Sequence, residues 1–155
     1  MNYLEAKKKA KEKYEMHLKQ IELCKRVSDK IASALPEGWN IDISDVVFNL
    51  SIWKGSINDG EEADAGEFKY VCSIVQKAYP ELNLHRFAHV SDDGKIIFLK
   101  AYDYLRDSKK SILLEIEIIA YNPKLMPNCK IEWKEEVVKR AVVSDECLGI
   151  GGGNE

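Results

Sequence analysis

A chain of 155 residues, 45% hydrophobic and 32% charged, is long enough for one globular domain with its own core. The formal net charge of -3 argues against a protein whose whole surface is built to hold nucleic acid. No apolar run approaches the roughly 20 residues that a membrane crossing needs. The amino-terminal lysines precede no apolar segment, so we expect no secretory signal and a cytoplasmic protein.

The four cysteines are widely spaced and form neither a C-x-x-C pair nor a zinc-finger pattern. We therefore expect free thiols in a reducing compartment, with no bound metal and no cofactor. Cys24 and Cys72 occupy apolar helix positions, where a small core residue is the simplest interpretation. Cys147 falls in the carboxy-terminal segment and would be the most reactive thiol if exposed.

The first predicted element is a long helix over residues 3–35, which ends before Pro36 and Gly38. Its apolar residues recur at steps of three and four. The apolar stripe is broader in the second half, so we expect that half to pack on the domain. We expect the first half to project into solvent or to pair with another helix, which would make the protein an oligomer. This first half contains a basic segment: Lys7, Lys8, Lys9, Lys11 and Lys13.

Residues 39–54 alternate as β structure with one change of phase, which predicts either one bent strand or two short ones. A second helix follows, with Asp64 and Glu67 resembling a capping box, and it ends at Pro80. The loop before this helix is acidic, but its glycines do not fit an EF-hand calcium loop. We interpret its charge as complementing the helix dipole, or as a patch facing a basic partner. The acidic patch consists of Asp59, Glu61, Glu62 and Asp64.

The pair Asp93 and Gly94 predicts a tight hairpin, because both central residues of a type I′ turn need a positive φ. Such a turn sets the register between the strands on either side of it. One face of the hairpin is then apolar apart from Arg86. The other face would offer a platform on which a base or a planar ligand could stack. We name it the His/aromatic face, and its residues are His85, Phe87, His89, Phe98, Lys100 and Tyr102.

An ordinary structural role explains the His/aromatic face more simply. A sheet between two layers buries both sides, so the rings of Phe87, Phe98 and Tyr102 would pack under the first helix. Glu115 and Glu117 on a later strand point the same way and are close enough for acid/base work. An exposed strand surface is the simpler interpretation of these carboxylates too. We predict no catalytic residues and lean against an enzyme.

The last third of the chain completes the fold prediction. Residues 112–120 show the clearest strand pattern, and residues 130–143 fit a strand or a helix, with their valines favouring a strand. Residues 148–155 are rich in glycine and predict a flexible tail. The expected fold class is α+β, with the long first helix and a second helix packed on a mainly antiparallel sheet of about five strands, in a single domain over residues 1–147.

Three functions remain open, because this architecture serves many. The first is a protein-interaction module of the acidic inhibitor or adaptor kind, typical of accessory proteins of bacteria, phages or mobile elements, with a basic protein as partner. The second is nucleic-acid binding through the basic segment and the His/aromatic face. The third is a small-molecule binder or enzyme that uses His85 and His89, with Glu115 or Glu117, in a pocket between sheet and helix. We rank them in this order and expect no membrane association.

Overall fold

The computed structural model of the chain describes residues 1–44, 49–55, 63–90, 97–122, 132–134 and 140–142. The helices and strands in these residues confirm the predicted α+β class. In chain order they are α1 (Tyr3–Ala32), β1 (Asn40–Ser44), β2 (Asn49–Lys54), α2 (Ala65–Ala78), β3 (His85–Val90), β4 (Ile97–Arg106), β5 (Ile112–Asn122), β6 (Glu132–Lys134) and β7 (Arg140–Val142).

The main sheet contains strands in the order β1-β2-β5-β4-β3. All neighbours in it are antiparallel except β2 and β5, which run parallel. The sheet is therefore mainly antiparallel, as predicted, with one parallel pair that the sequence did not indicate. Strands β6 and β7 form a separate antiparallel pair, and β7 lies next to β3. The ambiguous residues 130–143 thus contain strands, as their valines favoured, while the predicted tail 148–155 lies outside the described residues.

Two predictions of strand pairing can be compared with the sheet. Residues 39–54 form two short antiparallel strands rather than one bent strand, with Ile41 opposite Ile52. In the hairpin, Ala88 lies opposite Leu99 and Val90 opposite Ile97, which is the register that a two-residue turn at 93–94 requires. The turn itself lies outside the described residues.

Helix α1 begins at a capping box that satisfies two backbone N–H groups at once. The Glu5 N–H donates to Asn2 Oδ1 at 2.9 Å, and the Asn2 N–H donates to Glu5 Oε2 at 3.0 Å. The helix is about 45 Å long at 1.5 Å per residue. Residues 1–16 are exposed, and the buried positions lie in the last third, at Cys24, Val27 and Ile31. The predicted division into a projecting half and a packed half is confirmed.

Asp64 is the N-cap of α2, as predicted, but the predicted capping box is only half formed, because the Glu67 carboxylate accepts from Trp39 and Lys54 instead. The Asp64 carboxylate accepts the Glu67 N–H at 2.7 Å and so caps the first turn. The helix buries Phe68, Val71 and Val75. At its carboxyl end the Lys30 ammonium of α1 donates to the Ala78 carbonyl at 2.8 Å, which ties the two helices together.

Both helices pack on one side of the main sheet, which we call the inner face. Alternate residues of each strand point there, and each large apolar side chain buried in this way stabilises the fold by about 1.5–3 kcal/mol. The residues between them point to the opposite, outer face. The buried inner-face residues are Leu50, Ile52, Ala88, Val90, Leu99, Ala101, Leu105, Leu114, Ile116, Ile118 and Ala120.

Candidate binding face

The outer face carries the whole His/aromatic face predicted from the sequence. His85 and His89 are exposed, and the other four side chains are partly buried. The expectation that the rings pack under the first helix is wrong, because α1 and α2 both contact the inner face. The cross-strand pairs are those predicted from the turn: His85 with Tyr102, Phe87 with Lys100, and His89 with Phe98.

Four rings on β3 and β4 contact one another, and we call them the aromatic cluster: His85, Phe87, Tyr102 and Tyr104. The ring of Tyr102 lies at its centre, edge-on to His85 at 5.5 Å and to Phe87 and Tyr104 at 6.0 Å each between centroids. His85 and Phe87 stack at 5.9 Å. Contacts of this geometry contribute about 0.5–1.5 kcal/mol each beyond area burial. Each ring of the cluster therefore limits the rotamers open to its neighbours.

Two carboxylates lie directly beside the aromatic cluster, on the central strand β5. Glu117 is opposite Tyr102, and Glu115 is opposite Tyr104. Strand β2 holds both from the other side, because its parallel register places Asn49 next to Glu115 and Ser51 next to Glu117. The Asn49 amide donates to Glu115 Oε1 at 2.9 Å, and the Ser51 hydroxyl donates to Glu117 Oε1 at 3.3 Å. Hydrogen bonds from β2 therefore orient both carboxylates.

Tyr104 and Glu115 are electrostatically coupled. The negative charge of the Glu115 carboxylate raises the pKa of the Tyr104 hydroxyl, and partial desolvation and a hydrogen bond to the same carboxylate act in the same direction. The Arg106 guanidinium, 5.7 Å from the centre of the Tyr104 ring, acts against this rise. The phenol and the acid thus form one polar unit at the end of the aromatic cluster.

Several residues of this site were not predicted from the sequence. Tyr104 shares strand parity with Tyr102 and could have been placed on the same face by counting. Asn49 and Ser51 could not have been found in this way, because they reach the carboxylates through a pairing of strands more than sixty residues apart. No local pattern fixes such a pairing.

Acidic groups predominate on the β1, β2 and β5 side of the outer face. At its edge, Trp53 Nε1 donates to the exposed Asp42 carboxylate at 2.9 Å. Together with the two glutamates this gives three carboxylates. The cations of the face among the described residues are Lys100 and Arg106, both on β4. The surface therefore has an aromatic side and an acidic side.

The two charged segments predicted as binding surfaces lie elsewhere. The basic segment is exposed on α1, which packs on the inner face, so it is not continuous with the His/aromatic face. Of the acidic patch, Asp64 is the N-cap of α2, and its carboxylate is engaged by the Glu67 N–H. Asp59, Glu61 and Glu62 lie outside the described residues.

A groove of about 880 Å³ opens between α2 and β3, on the other side of the sheet from the histidines. It is lined by Cys72 and Gln76 of α2, by Arg86, and by Leu82 in the connecting segment. Burial raises the pKa of the Cys72 thiol to about 12, so this thiol is not a nucleophile near neutral pH. His85 and His89 do not line the groove, and within the described ranges no three His, Cys, Asp or Glu side chains come together to hold a metal.

Comparisons with known proteins give no family for this chain. No family model matches it, and no curated protein or solved structure matches it significantly. As far as the structure describes the chain, neither helix has the combined length and apolarity that crossing a membrane requires.

Proposed function

We propose that this chain is a protein-interaction module that uses the outer face of its sheet to bind a partner carrying basic side chains. The observation that supports the proposal is the placement of the aromatic cluster directly beside Glu115 and Glu117, on the side of the sheet away from both helices. Rings supply contact area, and the carboxylates supply charge.

The aromatic cluster has the character of an interface centre. Tyrosine and phenylalanine are enriched where protein interfaces are driest, and a few such residues contribute most of the binding energy. Tyr102 and Phe87 already pack against each other in the free protein. Little side-chain entropy is therefore lost when a partner covers them.

The carboxylates favour a basic partner. Each of Glu115 and Glu117 uses Oε1 for the bond to β2, and Glu115 also bonds the Tyr104 hydroxyl. Because a carboxylate has about four acceptor sites on its two oxygens, both groups can still accept from a lysine or arginine. Charge-assisted bonds of this kind are the stronger ones, and complementary charge speeds association and selects the partner. In this proposal the protein acts in the cytoplasm as an inhibitor or adaptor, in the manner of a bacterial or phage accessory protein, by covering a basic surface of its partner.

Nucleic-acid binding is the alternative. It would use the exposed basic segment and the stacking rings, but these two parts belong to opposite layers of the fold. A strand bound across the rings would also bring its phosphates towards Glu115 and Glu117, which repel them. Binding of a basic protein is compatible with both observations: it does not require the basic segment and the rings to share one surface, and Glu115 and Glu117 attract basic side chains.

The test compares the wild-type protein with a double variant, Phe87→Ala with Tyr102→Ala, in affinity capture from extract of the source organism with and without nuclease treatment. The matched control is Tyr70→Ala, since Tyr70 is an equally aromatic but exposed residue of α2. We expect one stoichiometric protein partner that the double variant loses and the control retains. A second double variant, Glu115→Gln with Glu117→Gln, should weaken the same complex and reduce its sensitivity to salt.

Two results would contradict the proposal. One is a captured protein that all variants retain equally, which would place binding elsewhere on the chain. The other is nuclease-sensitive capture, together with fluorescence anisotropy showing that wild type but not the double variant binds a single-stranded oligonucleotide at low salt; this would establish the nucleic-acid alternative.

A further inference from the structure

The projecting half of α1 continues the packing seam of its buried half into solvent. Cys24 and Ile31 are buried against the domain. Counting back from Cys24 in steps of seven leads through His17 to Ala10 and Tyr3, and the positions three residues before His17 and Ala10, which are Tyr14 and Lys7, complete the seam. Tyr3 is 75% exposed and Tyr14 is 63% exposed. Tyr3, Ala10 and Tyr14 give this seam an apolar stripe that Lys7 interrupts. An apolar stripe on a helix is the side that packs on another surface.

Lysines border this stripe on both sides. Lys11 follows Ala10 by one position and Lys13 precedes Tyr14 by one, so the two occupy the flanking heptad positions, while Lys8 lies on the far side of the helix. Among the described residues the ion pairs are Lys25 with Asp29 and Lys54 with Glu67, so the flanking lysines are unpaired. The capping box at Asn2 stabilises the first turn of α1, so the projecting half is helical from its start.

We propose that the projecting half of α1 binds an acidic α-helix of a partner protein. The apolar stripe would pack against the apolar stripe of that helix, and Ala10 allows a close approach. Lys11 and Lys13 would pair with glutamates at the positions that flank the partner's stripe, which is how charged flanks select a partner in paired helices.

The charge of the segment argues against a second copy of this chain and against nucleic acid. Residues 1–20 contain six lysines and three glutamates, so two copies would repel each other along this stripe. The first arginine of the chain is Arg26, beyond the segment, whereas arginine is the residue best suited to phosphate and base contacts. A phosphate backbone would also leave Tyr3 and Tyr14 without an apolar surface to cover them.

This site is independent of the outer face, since α1 packs on the inner side of the sheet. The probe is a labelled peptide of about four heptads with leucine at the seam positions and glutamate at both flanks. We expect reversible binding measured by fluorescence anisotropy. Lys11→Glu with Lys13→Glu should weaken it about tenfold or more, and Lys8→Glu with Lys19→Glu, the matched charge change on the far side of the helix, should not. The variant Phe87→Ala with Tyr102→Ala should bind the peptide as wild type does.

Exchanging the charges between the protein and the peptide tests whether the flanking residues pair directly. The Lys11→Glu, Lys13→Glu protein should bind a companion peptide whose flanking glutamates are replaced by lysine, and wild type should not. Equal weakening of peptide binding by the two double variants would overturn the proposal, because it would show that only the net charge of the helix matters. So would the absence of peptide binding, tighter binding to anionic phospholipid vesicles or to a single-stranded oligonucleotide, or self-association of the wild type in sedimentation. Circular dichroism should show the same helix content in every variant.

Discussion

The Lys54 ammonium lies 2.8 Å from the Glu67 carboxylate and joins the end of β2 to the first turn of α2. The same carboxylate oxygen accepts the Trp39 Nε1–H at 3.3 Å. Both charged side chains are largely shielded from solvent, in contrast to the exposed pair Lys25 and Asp29 on α1. The Lys54–Glu67 pair therefore anchors a helix to the sheet.

Glu67→Gln should lower the free energy of unfolding by about 1 kcal/mol, because it removes the charge that compensates a partly buried ammonium. Lys25→Met, which breaks the exposed pair on α1, should change it by less than about 0.5 kcal/mol. Urea unfolding followed by circular dichroism measures both. Equal losses from the two variants would mean that shielding at Glu67 adds nothing.

The strand β5 offers a matched pair of isoleucines. Ile118 is fully buried on the inner face, whereas Ile112 at the start of the strand is 52% exposed. Ile118→Ala should cost about 2–5 kcal/mol through lost burial and the cavity left behind. Ile112→Ala should stay within about 0.5 kcal/mol of wild type in the same urea experiment. A small effect at Ile118 would contradict the assignment of the core to this side of the sheet.

Glu115→Gln should lower the pKa of Tyr104 towards the ordinary tyrosine value, since the Glu115 charge is the main cause of its rise. Titration of the tyrosine ring carbons by NMR measures this. Glu117→Gln serves as the control and should leave the Tyr104 curve in place. An unchanged curve in the Glu115 variant would show that the two groups do not interact in solution.

The raised pKa of Tyr104 makes the stability of the fold depend on pH. A raised pKa means that folded Tyr104 holds its proton more tightly than unfolded Tyr104. Its contribution to stability is complete below the unfolded pKa of about 10. It is lost as the pH rises through the higher folded value. Urea unfolding should therefore show a decline above pH 10 that is shallower in Glu115→Gln; identical declines would contradict the linkage.

Cys72 should resist thiol reagents in the folded protein. With a pKa of about 12, the thiolate makes up about one part in ten thousand at pH 8, and the side chain is only 6% exposed. Iodoacetamide at pH 8, followed by peptide mass spectrometry, should label Cys72 only after urea is added. Rapid labelling without urea would mean that α2 opens away from β3 in the native state.

Local signals predicted the elements of this fold better than their arrangement. The tight turn predicted at Asp93 and Gly94 was enough to predict the pairing of Phe87 with Lys100, because a tight turn sets the register of the strands on either side of it. Asp64 likewise marked the start of α2. Both features depend on residues that are close in sequence.

The layer that covers each face could not be predicted in this way. Aromatic side chains such as Phe87 and Tyr102 can lie under a helix or at the surface, and which of these occurs depends on the side of the sheet on which the chain crosses between β2 and β3. The parallel pairing of Leu50 with Ile116 depends on the same crossover. The composition of the candidate site was therefore visible in the sequence, whereas its exposure and its carboxylate neighbours were not.

Strand β5 lies between β2 and β4, although it is the last of the five strands of the main sheet to be synthesised. Until Ile112–Asn122 has left the ribosome, the β1–β2 hairpin and the β3–β4 hairpin have no strand to join them, and α2 lacks the strand of the sheet that it contacts most. Assembly of the core therefore waits for contacts between distant parts of the chain, which makes folding slow relative to a helical bundle of this size. A nascent chain halted before Ile112 exposes two unpaired strand edges, and such edges recruit chaperones or other nascent chains.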